Sequence, residues 1–144
     1  MKKVVKFGGS SLADAKQFQK VGAIVHADPS RIYVVPSAPG KRFSGDTKVT
    51  DLLYRCYDLA AEGKDFTDPF REIQSRYNEI IQGLGLKYSL EDEFRAIEEN
   101  LKKEPNRDYT ASRGEYLNGH VMAKYLGFTF VDAAEIIFFD QDGQ

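Results

Sequence analysis

Apolar residues recur along this chain in two alternating periods. Val4, Val5 and Phe7 form a short strand pattern that stops at Gly8-Gly9. A helical pattern follows from about Ala15 to His26, with Phe18, Val21, Ile24 and Val25 on one face, until Asp28-Pro29-Ser30 breaks it. Arg31 to Val35 reads as a second buried strand and feeds the loop Pro36-Ser37-Ala38-Pro39-Gly40. Strand, helix and strand at this spacing predict a βαβ unit with parallel strands and a right-handed crossover.

The middle of the chain has helical period only. Val49 to Ala60 carries Val49, Leu52, Leu53, Cys56 and Leu59 on one face, and Phe66 to Leu84 carries Phe70, Ile73, Tyr77, Ile80, Ile81 and Leu84. Gly83 and Gly85 fit the end of that helix. Ser89, with Asp92 three residues on, resembles a capping box and opens a helix that turns Leu90, Phe94, Ile97 and Leu101 inward. Glu98 with Lys102, and Glu99 with Lys103, form i,i+4 pairs on its solvated face. Pro105-Asn106 interrupts, and a further helix is predicted from about Thr110 to Leu126 with Gly127 as its stop. Phe128 to Val131 reads as a third strand ending at Asp132. The apolar tail Glu135-Ile136-Ile137-Phe138-Phe139 gives the look of an interrupted fold.

Composition narrows the function. A length of 144 residues suits one compact domain, and a net charge of −2 leaves no electrostatic footprint for nucleic acid. No apolar run is long enough to span a bilayer, and the charged start does not resemble a signal peptide. The single cysteine, Cys56, has no internal disulfide partner, which fits a reduced, cytoplasmic setting. On its apolar helical face it reads as core. His26 and His120 lack partners at metal-ligand spacing and read as surface or helix-end residues.

Chemistry concentrates at Lys6-Phe7-Gly8-Gly9-Ser10-Ser11. The glycines allow a tight bend and close approach of backbone to a ligand. A helix starting near Asp14 would offer free N–H groups at its first turn. Together with Lys6 these make a polyphosphate cradle, although a glycine pair after a strand also serves as a plain turn. Ligands on parallel sheets collect at the carboxyl ends of the strands, and the loops after Phe7 and Val35 both lie there. Gly40 to Thr47 mimics a Walker A loop but places Asp46 where the motif needs lysine, so its charge would repel phosphate. It reads instead as a mobile basic lid bearing Lys41 and Arg42. At Ser112-Arg113-Gly114-Glu115 the glycine costs a helix about 1 kcal/mol, which suggests that something approaches closely. Glu115 beside it suits either an ammonium group or the helix N-terminus.

Four of these stretches, in this order, resemble aspartokinases of the amino acid kinase superfamily: Lys6-Phe7-Gly8-Gly9-Ser10-Ser11, Val34-Val35-Pro36-Ser37-Ala38, Thr50-Asp51-Leu52-Leu53 and Ser112-Arg113-Gly114-Glu115-Tyr116-Leu117. The resemblance implies an α/β, three-layer αβα fold with a mainly parallel sheet, of which residues 1–144 are the N-terminal, amino-acid-binding portion. It implies phosphoryl transfer from ATP, with Mg2+, to the side-chain carboxylate of L-aspartate. The product, 4-phospho-L-aspartate, opens the aspartate-derived amino acid pathway that includes lysine biosynthesis. Lys6 takes the catalytic role and, with Phe7, Gly8, Gly9, Ser10 and Ser37, the nucleotide contacts; Thr50 and Glu115 take the substrate contacts. No metal ligand is identified in the chain. Pro36, Pro39 and a longer Gly40–Lys48 loop depart from the family pattern. The resemblance further implies that the nucleotide-binding half and regulatory domains are absent, that the isolated chain is inactive, and that the full-length protein is a homo-oligomer. The alternatives are a non-catalytic fragment binding aspartate or a partner subunit, and another member of the superfamily.

Overall fold

The computed structural model describes residues 2–132. Two parallel strands, β1 (Lys3–Phe7) and β2 (Arg31–Pro36), are joined by helix α1 (Ala15–His26), the βαβ unit that the sequence predicts. Their register pairs Lys6 with Val35 and Phe7 with Pro36. The Ser37 amide then donates to the Phe7 carbonyl at 3.0 Å, so the two strands end together. A turn of 3-10 helix, Gly9–Leu12, leads into α1, whose first turn is capped by Asp14 accepting from the Gln17 amide at 2.9 Å.

Helices α2 (Val49–Ala61), α3 (Thr67–Gly83), α4 (Glu91–Lys103) and α5 (Arg107–Leu126) supply most of the core. Leu12, Phe18, Leu52, Leu53, Ile73, Tyr77, Phe94 and Leu117 are all essentially inaccessible to solvent. Phe7 and Val34 press one face of the sheet against this cluster. The opposite face leaves Val4 65%, Tyr33 51% and Val35 43% exposed among the described residues. Arg31 to Val35 is therefore not the buried strand that the sequence predicts: helices pack on the Val34 face only, Tyr33 and Val35 lie on the open face, and Ile32 is 41% exposed near the strand's start.

Several details differ from the sequence reading. Ile24 is 46% exposed, outside the buried stripe of Phe18, Val21 and Val25, and its backbone carbonyl accepts from Arg31 Nη1. Ser89 does not cap a box with Asp92. Leu90 holds the N-cap position, and the Ser89 hydroxyl accepts from the Glu91 amide at 3.1 Å, a bond of two-residue reach. Helix α5 starts at Arg107, because Asn106 caps it by accepting from the Tyr109 amide at 2.9 Å. Gly127 ends it at φ 75°, a left-handed conformation that favours glycine. Phe128 to Val131 is not a strand, since no described strand pairs with it. Phe130 instead stacks on His120, ring centroids 3.7 Å apart, which makes His120 a half-buried residue of a helix flank. The apolar tail at 135–139 lies outside the described residues.

Other expectations hold. Cys56 is buried, and the Glu98–Lys102 and Glu99–Lys103 pairs form at 3.8 and 3.4 Å on an exposed face.

Candidate active site

The loops that leave β1 and β2 meet directly. Gly40 donates its amide to the Gly9 carbonyl at 2.8 Å, and a Cβ on Gly40 would come within 2.7 Å of the Gly9 carbonyl carbon. A Cβ on Gly9 would meet the Ala38 carbonyl at 3.0 Å. Glycine at these two positions lets one loop rest on the other. Gly8 differs: its backbone is extended (φ −76°), and among the described residues no atom beyond its chain neighbours lies within 4 Å of where a Cβ would stand. The protein's own packing gives no reason for glycine at position 8.

Above this contact opens a cleft of about 540 Å³. The β1 loop contributes Gly9 and Ser10, and the β2 loop contributes Ser37 through Lys41. Lys48 and Thr50, at the start of α2, form a second wall, and Glu115 of α5 closes the third. The Val49 amide donates to the Pro39 carbonyl at 3.1 Å, which fixes the start of α2 beside the β2 loop.

Glu115 reaches this wall because of the residue before it. A Cβ on Gly114 would lie 2.7 Å from the Ala38 Cβ and 3.2 Å from Leu53 Cδ1, so glycine lets α5 seat against the β2 loop. The close neighbour that the glycine suggested is therefore the protein itself. The buried Tyr77 hydroxyl donates to the Gly114 carbonyl at 2.6 Å, and burial pushes its ionisation well above the usual phenol range. One turn further along, the buried Asn118 side chain donates to the Ser37 carbonyl at 2.7 Å. Helix α5 thus grips the β2 loop at two points and presents Glu115 to solvent between them.

Of the residues picked out from sequence, Gly9, Ser10, Ser37, Thr50 and Glu115 come together in the cleft. Lys6, Phe7 and Gly8 do not line it. Phe7 packs against the core, while Lys6 is exposed on β1 and makes no hydrogen bond or ion pair with another described residue. Arg113 turns away, its guanidinium 4.4 Å from the Tyr109 ring and 4.3 Å from the Tyr116 ring. Glu115, Lys41 and Lys48 likewise lack such a partner among the described residues.

The Gly40–Lys48 loop is tied down where a mobile lid was expected. Asp46 accepts from Arg42 Nε at 2.7 Å, and Arg42 Nη1 reaches Glu79 of α3 at 3.1 Å. Asp46, the residue that spoils the Walker A resemblance, is the anchor of its own loop. Its hydrogen bond from Arg42 holds its carboxyl well below the usual carboxylate range.

Sequence reasoning passed over Lys48, Asn118 and Arg76. A signal existed for two of them: Arg76 falls three residues after Ile73 and Asn118 four after Gly114, each a polar residue within a buried helical stripe.

A parallel βαβ unit with a glycine-lined, lysine-flanked cleft at the carboxyl ends of its strands places the chain in the α/β class, where such edges are the usual position of ligand sites. The chain belongs to the Amino acid kinase family, which matches residues 1–143. It is 38% identical over 137 residues to aspartokinase 3 of Bacillus subtilis (strain 168), covering 91% of this chain and 30% of that protein. The crystal structure of the aspartate kinase of Clostridium acetobutylicum superposes with a TM-score of 0.91 at 49% identity, over 98% of this chain and 32% of that one. Aspartokinase III of E. coli, solved with aspartate and ADP, gives a TM-score of 0.67 at 24% identity over 88% of this chain and 29% of that one. At that identity the likeness concerns the fold. The chain spans about a third of the length of these relatives. Among the described residues, no helix is long and apolar enough to cross a membrane.

Proposed function

We propose that this chain forms the amino-acid-binding part of an aspartate kinase, which transfers a phosphoryl group from ATP to the side-chain carboxylate of L-aspartate. The observation that carries the reading is the meeting of Thr50 and Glu115 with the glycine loop across one cleft. Two relatives whose names state aspartate kinase activity, at 38% and 49% identity, support it.

The electrostatic problem is specific. A carboxylate must approach a polyphosphate, and two unit charges 4 Å apart repel by about 4 kcal/mol at an effective dielectric of 20. Lysines placed around the meeting point offset that repulsion: Lys41 and Lys48 line the cleft and Lys6 is exposed near the end of β1, none with a hydrogen-bond or ion-pair partner among the described residues. Lys6 takes the transferring phosphoryl group, where a positioned cation stabilises spreading negative charge. Gly8 leaves room for phosphate oxygens against bare backbone, since none of the described residues occupies that space. Ser10 and Ser37 offer hydroxyls at the rim. Glu115 pairs with the α-ammonium of aspartate, and Thr50 orients the amino acid from the start of α2. No general base is needed, because a side-chain carboxylate with a reference pKa of about 3.9 is already ionised at neutral pH.

Bound ATP supplies the phosphoryl group, and the residues present fit its phosphates. For Mg2+ the described residues hold no group of three acidic, histidine or cysteine side chains, so no step is assigned to it. The test is turnover by the full-length protein with aspartate, glutamate or carbamate as acceptor. Aspartate-dependent ADP release that disappears in Lys6→Ala supports the proposal. ADP release with another acceptor and none with aspartate would overturn it.

A further inference from the structure

Arg76 lies on α3, outside the cleft, yet it is the side chain most involved in the backbone around it. Only 4% of its surface is accessible. Its Nη1 donates to the Thr47 carbonyl at 2.8 Å, and its Nη2 donates to the carbonyls of Gly40 at 2.5 Å and Ala13 at 3.3 Å. These carbonyls belong to three separate segments. Ala13 follows the glycine turn, Gly40 is in the β2 loop, and Thr47 immediately precedes Lys48 and the start of α2. Asp46 lies 3.6 Å from Nη1 and connects the arginine to Arg42.

From this convergence we infer that Arg76 is a positioning residue for the active site, holding the three wall-forming segments in register for amino-acid binding and phosphoryl transfer. The inference rests on the aspartate kinase reading for its substrate and on geometry alone for its structural half.

Cheaper solutions to stability exist at this position. A buried guanidinium carries a desolvation penalty, and replacing a whole buried ionic set by well-packed apolar groups is often neutral or stabilising. Here Nε has no hydrogen-bond partner among the described residues, and burial lowers the pKa of the group from its ordinary value. An apolar side chain would avoid that penalty, and what the planar fork supplies, and one ammonium lacks, is directed donors that reach three carbonyls at once. Helix α3 gives the fork a rigid base, since Ile73, Tyr77 and Ile80 on either side of Arg76 are fully buried. Glu79, on the same helix, holds the loop from outside through Arg42. Displacement of a wall by about 1 Å is enough to cost roughly a hundredfold in rate.

The test uses Arg76→Lys in the full-length protein, read by amide exchange and by kinetics. The amides of Gly40 and Val49, which bond across the loops, should exchange about tenfold faster or more, while those of Ile80 and Ile81 stay unchanged. With aspartate, kcat/KM of the folded protein, measured well below its Tm, should fall roughly 10- to 100-fold. Unchanged exchange at Gly40 and Val49 would overturn the inference, as would faster exchange with full kcat/KM. Because exchange is read without substrate, that arm decides even if aspartate proves to be the wrong acceptor. Arg76→Met is the second variant: it keeps much of the stem and removes every donor. It is read the same way if the lysine variant fails to fold.

Discussion

Between α2 and α5 the polar groups of the protein are turned back onto the protein, whereas along the carboxyl edge of the sheet they are left open. In the helical body the Tyr77 hydroxyl, the Asn118 amide and the Arg76 guanidinium each end on a backbone carbonyl. At the edge, Lys6, Lys41, Lys48 and Glu115 end on nothing among the described residues. Burial separates the regions too, with Phe94 1% and Leu117 0% exposed in the body while Ser10, Lys48 and Glu115 are open to solvent. Groups of the first kind fix shape. Groups of the second kind add almost nothing to stability and are available to a ligand. The seam between the regions is where Gly114 meets Ala38 and where Arg76 meets Gly40.

That contrast can be broken from either side. Phe94→Ala removes an aromatic side chain packed against Phe70 and Tyr77, and should lower unfolding free energy by about 3–5 kcal/mol in denaturant titration. Activity of the fraction still folded should be unchanged, and a selective loss would show that the body reaches into the chemistry. Lys6→Ala should do the reverse: kcat down by roughly 10²–10³, with a thermal midpoint within about a degree of the parent. A comparable loss of stability would return Lys6 to the structural group. Glu115→Gln keeps the shape and removes the charge, so KM for aspartate should rise roughly 10- to 100-fold, the equivalent of one charge-assisted hydrogen bond. An unchanged KM would remove Glu115 from the substrate wall.

The smallest effect is expected at Cys56. Burial pushes its thiol up to about 12 from an ordinary value of 9.0, so the folded protein should resist alkylation at pH 8 and the unfolded chain should react. Below pH 9 both states keep the proton and the thiol leaves stability unchanged. Between 9 and 12 only the unfolded chain releases it, so stability should fall as pH rises. Labelling of the native protein at pH 8 would show that the α2 face opens.

The sequence made much of this division legible. Helical period located α2, α3 and α4 to within a residue or two, because buried stripes such as Phe70, Ile73, Tyr77 and Ile80 leave little choice of face. Gly114 announced a close approach, and the neighbour turned out to be Ala38 of the site's own loop. What sequence did not disclose was pairing across distance. Arg42 read as a lid cation, but Asp46 and Glu79 hold it, and Glu79 lies 37 positions away. Arg76 drew no reading, because its carbonyl partners are 29 to 63 positions distant and carbonyls leave no mark in a sequence. Phe128 to Val131 had strand composition, yet a strand exists only where a neighbour pairs with it. Local period is written in side chains, whereas loop position is decided by backbone contacts that only the fold assembles.

The central claim is that the cleft between the glycine loop, Thr50 and Glu115 takes L-aspartate. A chain of 16.3 kDa is small enough for residue-resolved NMR, so titrating the isotopically labelled protein with L-aspartate tests the claim directly. The account predicts saturable shifts confined to the amides of Ser37 to Lys41, Lys48 to Thr50 and Gly114 to Glu115, weakened in Glu115→Gln. Shifts centred elsewhere, or a response to aspartate that Glu115→Gln leaves unaltered, would contradict it.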